Sequence, residues 1–127
     1  MRREDVAVRG VHKTTGYSHA AKAGGLVFLA GQVAQDAEGA VVGRGDVEAQ
    51  AVQVFENLKA VLASAGATFD DVVKMTTYTT SLVYRAKIAE VRARYCKMYF
   101  PPNTFVVVAS LATPEYLLEI EAVAACP

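Results

Sequence analysis

Two carboxylates, Glu119 and Glu121, stand two residues apart inside the apolar segment Leu117–Ala124. In a strand, successive side chains point to opposite faces. Both acids then share one face, and Leu118, Ile120 and Ala122 share the other. A second apolar run, Asn103–Ala109, lies just upstream and is expected to be a strand as well. A carboxylate held beside such apolar neighbours is costly unless it is paired, hydrogen-bonded or neutralised. The pair is therefore either a structural ion-pair site or the acid/base end of an active site. Cys96 and Cys126 have neither CxxC spacing nor a histidine nearby in sequence, so a structural or bystander role is expected.

The elements that must position these groups follow from periodicity. Glu4–Arg9 alternates weakly, as a short edge strand would. His19–Ala23 and Leu26–Val33 read as strands joined by a tight turn at Gly24-Gly25. Ala37–Gly45 reads as a loop. Asp46 is placed to cap a helix whose apolar stripe is Ala51, Val54, Phe55, Leu58, Val61, Leu62 and Ala65, with Gly66 as its stop. Val72–Thr80 has the β-branched and aromatic content of a strand. Ser81 then caps a second helix with stripe Ile88, Val91, Tyr95 and Met98, ended by Pro101-Pro102. The order strands, helix, strand, helix, strands predicts a single α+β domain over residues 1–127, with two helices on a mixed or antiparallel sheet.

Leu26–Leu29 and Phe105–Val108 are apolar at consecutive positions, so both sheet faces need cover. Two helices cover one face only. A homo-oligomer whose sheets pack together is expected, and a small closed monomeric barrel is the alternative.

Composition narrows the function classes. The chain has 127 residues, 53% of them hydrophobic, which suits one core and argues against disorder. Thirteen basic and thirteen acidic residues give zero net charge, so no nucleic-acid partner is expected. No apolar run is long enough to span a bilayer, and with no secretory leader in view a cytoplasmic setting is expected.

Several short motifs then fall in a recognisable order. These are Gly16-Tyr17, Leu29-Ala30-Gly31-Gln32-Val33, Gln50 followed by Asn57-Leu58, Asp71-Val72-Val73-Lys74, Phe100-Pro101 and Glu119-Ile120-Glu121-Ala122. Over nearly the whole chain this pattern resembles the RidA/YjgF family, the reactive intermediate deaminases once called L-PSP endoribonucleases. The resemblance implies a chorismate-mutase-like fold with one sheet face buried in a homotrimer. It also implies three clefts, each lined by two subunits, and hydrolysis of small enamines and imines to a keto acid and ammonia. No metal or organic cofactor is implied. Glu119 matches the glutamate that activates water, a task suited to a partly desolvated carboxylate. Tyr17 matches the cleft tyrosine, and Gly31 would let backbone approach a ligand. Glu121 is expected to be structural.

Three positions depart from that pattern. Asn103 stands where deaminase members carry an arginine that clamps the substrate carboxylate. Ala30 replaces a common serine, and Phe105 replaces a common cysteine, narrowing the cleft or making it more apolar. An amide gives neutral hydrogen bonds of about 1 kcal/mol net, against about 1.5–3 kcal/mol for charged ones. The expected ligand is thus less anionic, larger or flatter than a simple 2-imino acid, with His19 a candidate replacement polar group near Tyr17. The expected activity is cofactor-independent hydrolysis of a C=N bond in a reactive intermediate. The alternatives are a non-catalytic small-molecule-binding trimer, or a recruited pathway enzyme such as an aminomuconate-type deaminase.

Overall fold

A computed structural model describes residues 2–126. Its elements are β1 (Glu4–Asp5), β2 (Ala20–Ala23), β3 (Leu26–Gln32), α1 (Val47–Ser64), β4 (Val72–Thr79), α2 (Arg85–Tyr95), β5 (Asn103–Val107) and β6 (Leu118–Ala125). Single 3₁₀ turns at Phe69–Asp71 and Leu82–Tyr84 precede β4 and α2. The strands form one sheet in the order β1-β2-β3-β6-β4-β5. β6 runs antiparallel to both its neighbours, β3 and β4, and β5 runs parallel to β4. The β3–β4 and β4–β5 connections each carry one helix, the crossover that strands of like direction require. This is the mixed α+β architecture expected from the element order, and the chorismate-mutase-like fold that the resemblance implies.

Local chemistry accounts for the boundaries. Gly24 and Gly25 both have positive φ, 61° and 76°, so the two-residue hairpin bends without strain. The Asp46 carboxylate accepts the Ala49 N–H and starts α1. The helix buries the expected stripe from Ala51 to Leu62 against β3, β6 and α2. Facing it from the sheet are Val27, Leu29, Met75, Leu118, Ile120 and Ala122, all buried.

Four boundaries differ from the sequence reading by more than one residue. β1 has only two paired residues; Val6 adds one backbone hydrogen bond to the Ala20 carbonyl, and Val6, Val8 and Val11 pack against the core. Ser81 caps the 3₁₀ turn, accepting the Val83 N–H, and α2 begins afterwards. α2 stops at Tyr95, so Met98 lies beyond it and is exposed. β5 ends at Val107, two residues short of the expected Ala109.

Among the described residues, no helix covers the opposite face of the sheet. That face presents Phe28, Lys74, Thr76, Tyr78, Thr104, Val106, Glu119, Glu121 and Val123, a mixed surface less uniformly apolar than the consecutive valines suggested. Phe28 there is 47% exposed.

Candidate functional site

Alternation along β6 sends Glu119 and Glu121 to this open face, as expected, while Leu118, Ile120 and Ala122 enter the core. The two acids differ in partners. Glu121 accepts a hydrogen bond from the Tyr78 hydroxyl at 2.5 Å. Glu119 has no hydrogen-bond partner among the described residues. Burial, and then the nearby Glu121 charge, push its carboxyl above the usual range. Tyr78 is held above its usual value first by the hydrogen bond to Glu121, and Glu119 adds to the effect. One acid is thus tied into the sheet and the other is left free and partly desolvated.

Gly31 makes room for that free acid. β3 and β6 lose regular register between Leu29 and Gln32, and Gly31 sits in this irregularity. A Cβ on Gly31 would lie 2.8 Å from Glu119 Cδ and 2.9 Å from Cγ. Gly31 thus sits in a strand-end irregularity, against the side chain of Glu119.

Tyr17 is 54% exposed on the rim of an open groove of about 680 Å³ floored by Phe28, Leu29 and Ala30. This groove adjoins Gly31 through Ala30, but Glu119 does not line it. Tyr116, which the sequence reading did not single out, is buried at the same end of the sheet. Its phenol is raised chiefly by burial and further by Glu115, Tyr17 and Glu119.

His19 does not provide a free polar group. Its ring is buried, Nε2 donates to the His12 carbonyl at 2.7 Å, and Nδ1 accepts from Gln32 Nε2 at 3.0 Å. Both nitrogens are used in pinning residues 12–19 to β3. The ring meets His12 edge-on at 4.8 Å and Tyr17 at 6.3 Å, so its contribution is to support Tyr17. His12 is held below its usual pKa by burial and then by His19.

Asn103 and Phe105 lie elsewhere. They pair with Met75 and Thr77, the residues of β4 that face the helices. The Asn103 Oδ1 accepts a hydrogen bond from Thr77 at 3.0 Å, and the Arg85 guanidinium lies 5.6 Å over the Phe105 ring. Within one chain, Tyr17, Gly31 and Glu119 gather at one end of β3 and β6, whereas Asn103 and Phe105 occupy the edge strand on the other face.

The polar residues of the Gln32, Gln50 and Asn57 motifs are buried anchors. Gln50 donates to the Gly43 and Glu115 carbonyls at 3.1 and 2.7 Å and accepts the Leu117 N–H at 2.9 Å, fixing the entry to β6 two residues before Glu119. Asn57 donates to the Val33 and Gln35 carbonyls just after β3. Three or more His, Cys, Asp or Glu side chains grouped to hold a metal are absent among the described residues, and no helix there is long and apolar enough to cross a membrane.

Comparison with known proteins places this geometry. The family model described as Endoribonuclease L-PSP matches residues 9–126. A RutC family protein of Pyrococcus abyssi is 41% identical over 108 residues, which cover 85% of this chain and 84% of that protein. The Rid-family protein YyfA of Yersinia pestis superposes with a TM-score of 0.93 at 31% identity, covering 98% of this chain and 99% of that one. E. coli TdcF, solved with bound serine, gives 0.87 at 31% identity over 96% and 98% of the two chains. By this match over nearly its whole length, the chain belongs to the YjgF/RidA/RutC family, the family described as Endoribonuclease L-PSP.

Proposed function

We propose that the protein is a cofactor-independent hydrolase of C=N bonds, a deaminase of imines or enamines formed as reactive metabolic intermediates. The observation that carries this reading is the Glu119 carboxylate, partly buried, raised in pKa and without a hydrogen-bond partner among the described residues, opposite a residue with no side chain. In the reaction, Glu119 takes a proton from water as the oxygen bonds to the imine carbon and the C=N electron pair moves to nitrogen. The protonated Glu119 then returns its proton to the nitrogen of the carbinolamine. Glu119 next carries the hydroxyl proton to the amine nitrogen, and collapse to C=O expels ammonia, so one water and one imine give one carbonyl compound and one ammonia. Tyr17 would cover a planar substrate, and Gly31 would let the backbone come close to it.

The working unit in this reading is a homotrimer in the cytoplasm. Asn103 and Phe105 face away from Glu119 in one chain, so a cleft containing all of them needs a second copy. Phe28 and Val106 on the uncovered face suit such an interface.

The test is ammonia release from imines generated in place by an amino-acid oxidase, with wild type compared with Glu119→Gln. Loss of turnover with an unchanged thermal melt and oligomer size is expected, and retained turnover would remove Glu119 from the mechanism. One second reading has its own support: Asn103 lacks the charge of an arginine clamp, which favours a small-molecule binder without turnover. That reading predicts a bound metabolite and no product over hours. An aminomuconate-type deaminase would be a specialised form of the first reading.

A further inference from the structure

Arg85 is the first residue of α2, and its guanidinium lies 5.6 Å over the centre of the Phe105 ring. Two other cations of this helix are committed to ion pairs: Lys87 to Glu48 and Glu90, and Arg94 to the same two acids. Arg85 has no ion pair or side-chain hydrogen bond among the described residues, and it is exposed. Stacking on an aromatic face fixes the plane of a guanidinium while leaving its N–H edge free to donate. The strand beneath adds a second donor. Asn103 lies two residues from Phe105 on the same face of β5, about 6–7 Å along the chain. Its Oδ1 is occupied by the Thr77 hydroxyl, which turns the amide so that its Nδ2 hydrogens are the groups left to offer. β5 is also the edge of the sheet, open to a ligand or a second copy.

We propose that Arg85, seated on Phe105, is the specificity-determining residue that binds the carboxylate of the substrate, with the Asn103 amide as its auxiliary donor. The inference rests on the deaminase reading for the identity of the substrate and deepens it: the imine is that of an acid. Its anionic group is met from α2 and not from the strand. A planar carboxylate matches the two-pronged donor edge of a guanidinium, which a lysine would not reproduce.

The test measures binding of phenylpyruvate, the 2-oxo acid product expected from the imine of phenylalanine, and of its carboxamide, by calorimetric titration of the intact protein. Wild type should prefer the acid. Arg85→Gln should weaken the acid roughly tenfold and leave the amide unchanged, as expected for one charge-assisted contact. Arg85→Lys should fall between. Phe105→Leu, which removes the platform but not the charge, should also weaken the acid alone. No acid binding by wild type, equal losses for acid and amide, or an unaffected Arg85→Gln variant would each overturn the proposal. Ammonia release from the phenylalanine imine is followed in parallel. Acid binding that depends on Arg85 without ammonia release leaves this assignment standing and removes the deaminase reading. Ammonia release with no dependence of acid binding on Arg85 does the reverse.

Discussion

Gly31 and Glu119 face each other so closely that no side chain fits on the glycine without displacing the carboxylate. The conflict is with the stem of Glu119 as well as its tip, since Cγ would lie 2.9 Å from the added Cβ.

Gly31→Ala separates fold from site. Gly31 is not among the positive-φ glycines, so its backbone accepts an alanine. The cost is steric and falls on a side chain that can swing away, at about 1–3 kcal/mol. The variant should fold and melt a few degrees lower, while turnover or ligand binding at Glu119 is lost. A variant with full activity would show that the carboxylate's position is not critical.

Glu119 also gives the pH response a sign. Its folded-state pKa lies above the ordinary 4.5, so the folded protein holds this proton more tightly than the unfolded chain does. The stability it contributes is present below about 4.5 and is lost as pH rises through the folded pKa. Glu119→Gln should therefore resist urea better than wild type at pH 7, with the gap closing toward pH 4. In the proposed reaction the carboxylate form is the base, so the rate should fall on the acid side at a pH above the ordinary glutamate value. Glu121→Gln removes the second cause of the shift and should move that acid limb lower.

Gln50→Leu tests the anchor behind the site. The side chain is fully buried and satisfies two carbonyls and the Leu117 N–H. Removing it strands these groups at a cost of about 2–4 kcal/mol. Chemical denaturation should show that loss, and Glu119, two residues along from Leu117, should lose its fixed position. A stability change within about 0.5 kcal/mol would mean that water replaces the amide easily.

The residues divide by how local their signals are. The α1 stripe and the Asp46 cap were legible because a helix writes its buried face at fixed spacing. The shared face of Glu119 and Glu121 was legible because strand alternation has period two. Met98 misled because its spacing continues the α2 stripe after the chain has left the helix. His19 misled because its partners, the His12 carbonyl and Gln32, depend on tertiary folding. The separation of Asn103 from Glu119 was hidden for the same reason. It depends on β6 entering between β3 and β4, and strand order is not written in any local pattern.

In the proposed trimer that separation makes assembly and activity one question. Phe28 lies on the uncovered face, 47% exposed, and lines a depression together with Lys74, Thr76, Glu121 and Val123. If copies pack through this face, Phe28→Arg places a charge in an apolar contact while leaving the helix-side core intact. The variant should sediment as a monomer with an unchanged circular-dichroism spectrum. It should also be inactive, because Glu119 of one copy would no longer meet Asn103 and Phe105 of another. An active monomer would show that one chain's open face suffices for the chemistry. A Phe28→Arg protein that keeps the wild-type oligomer size would place the interface elsewhere.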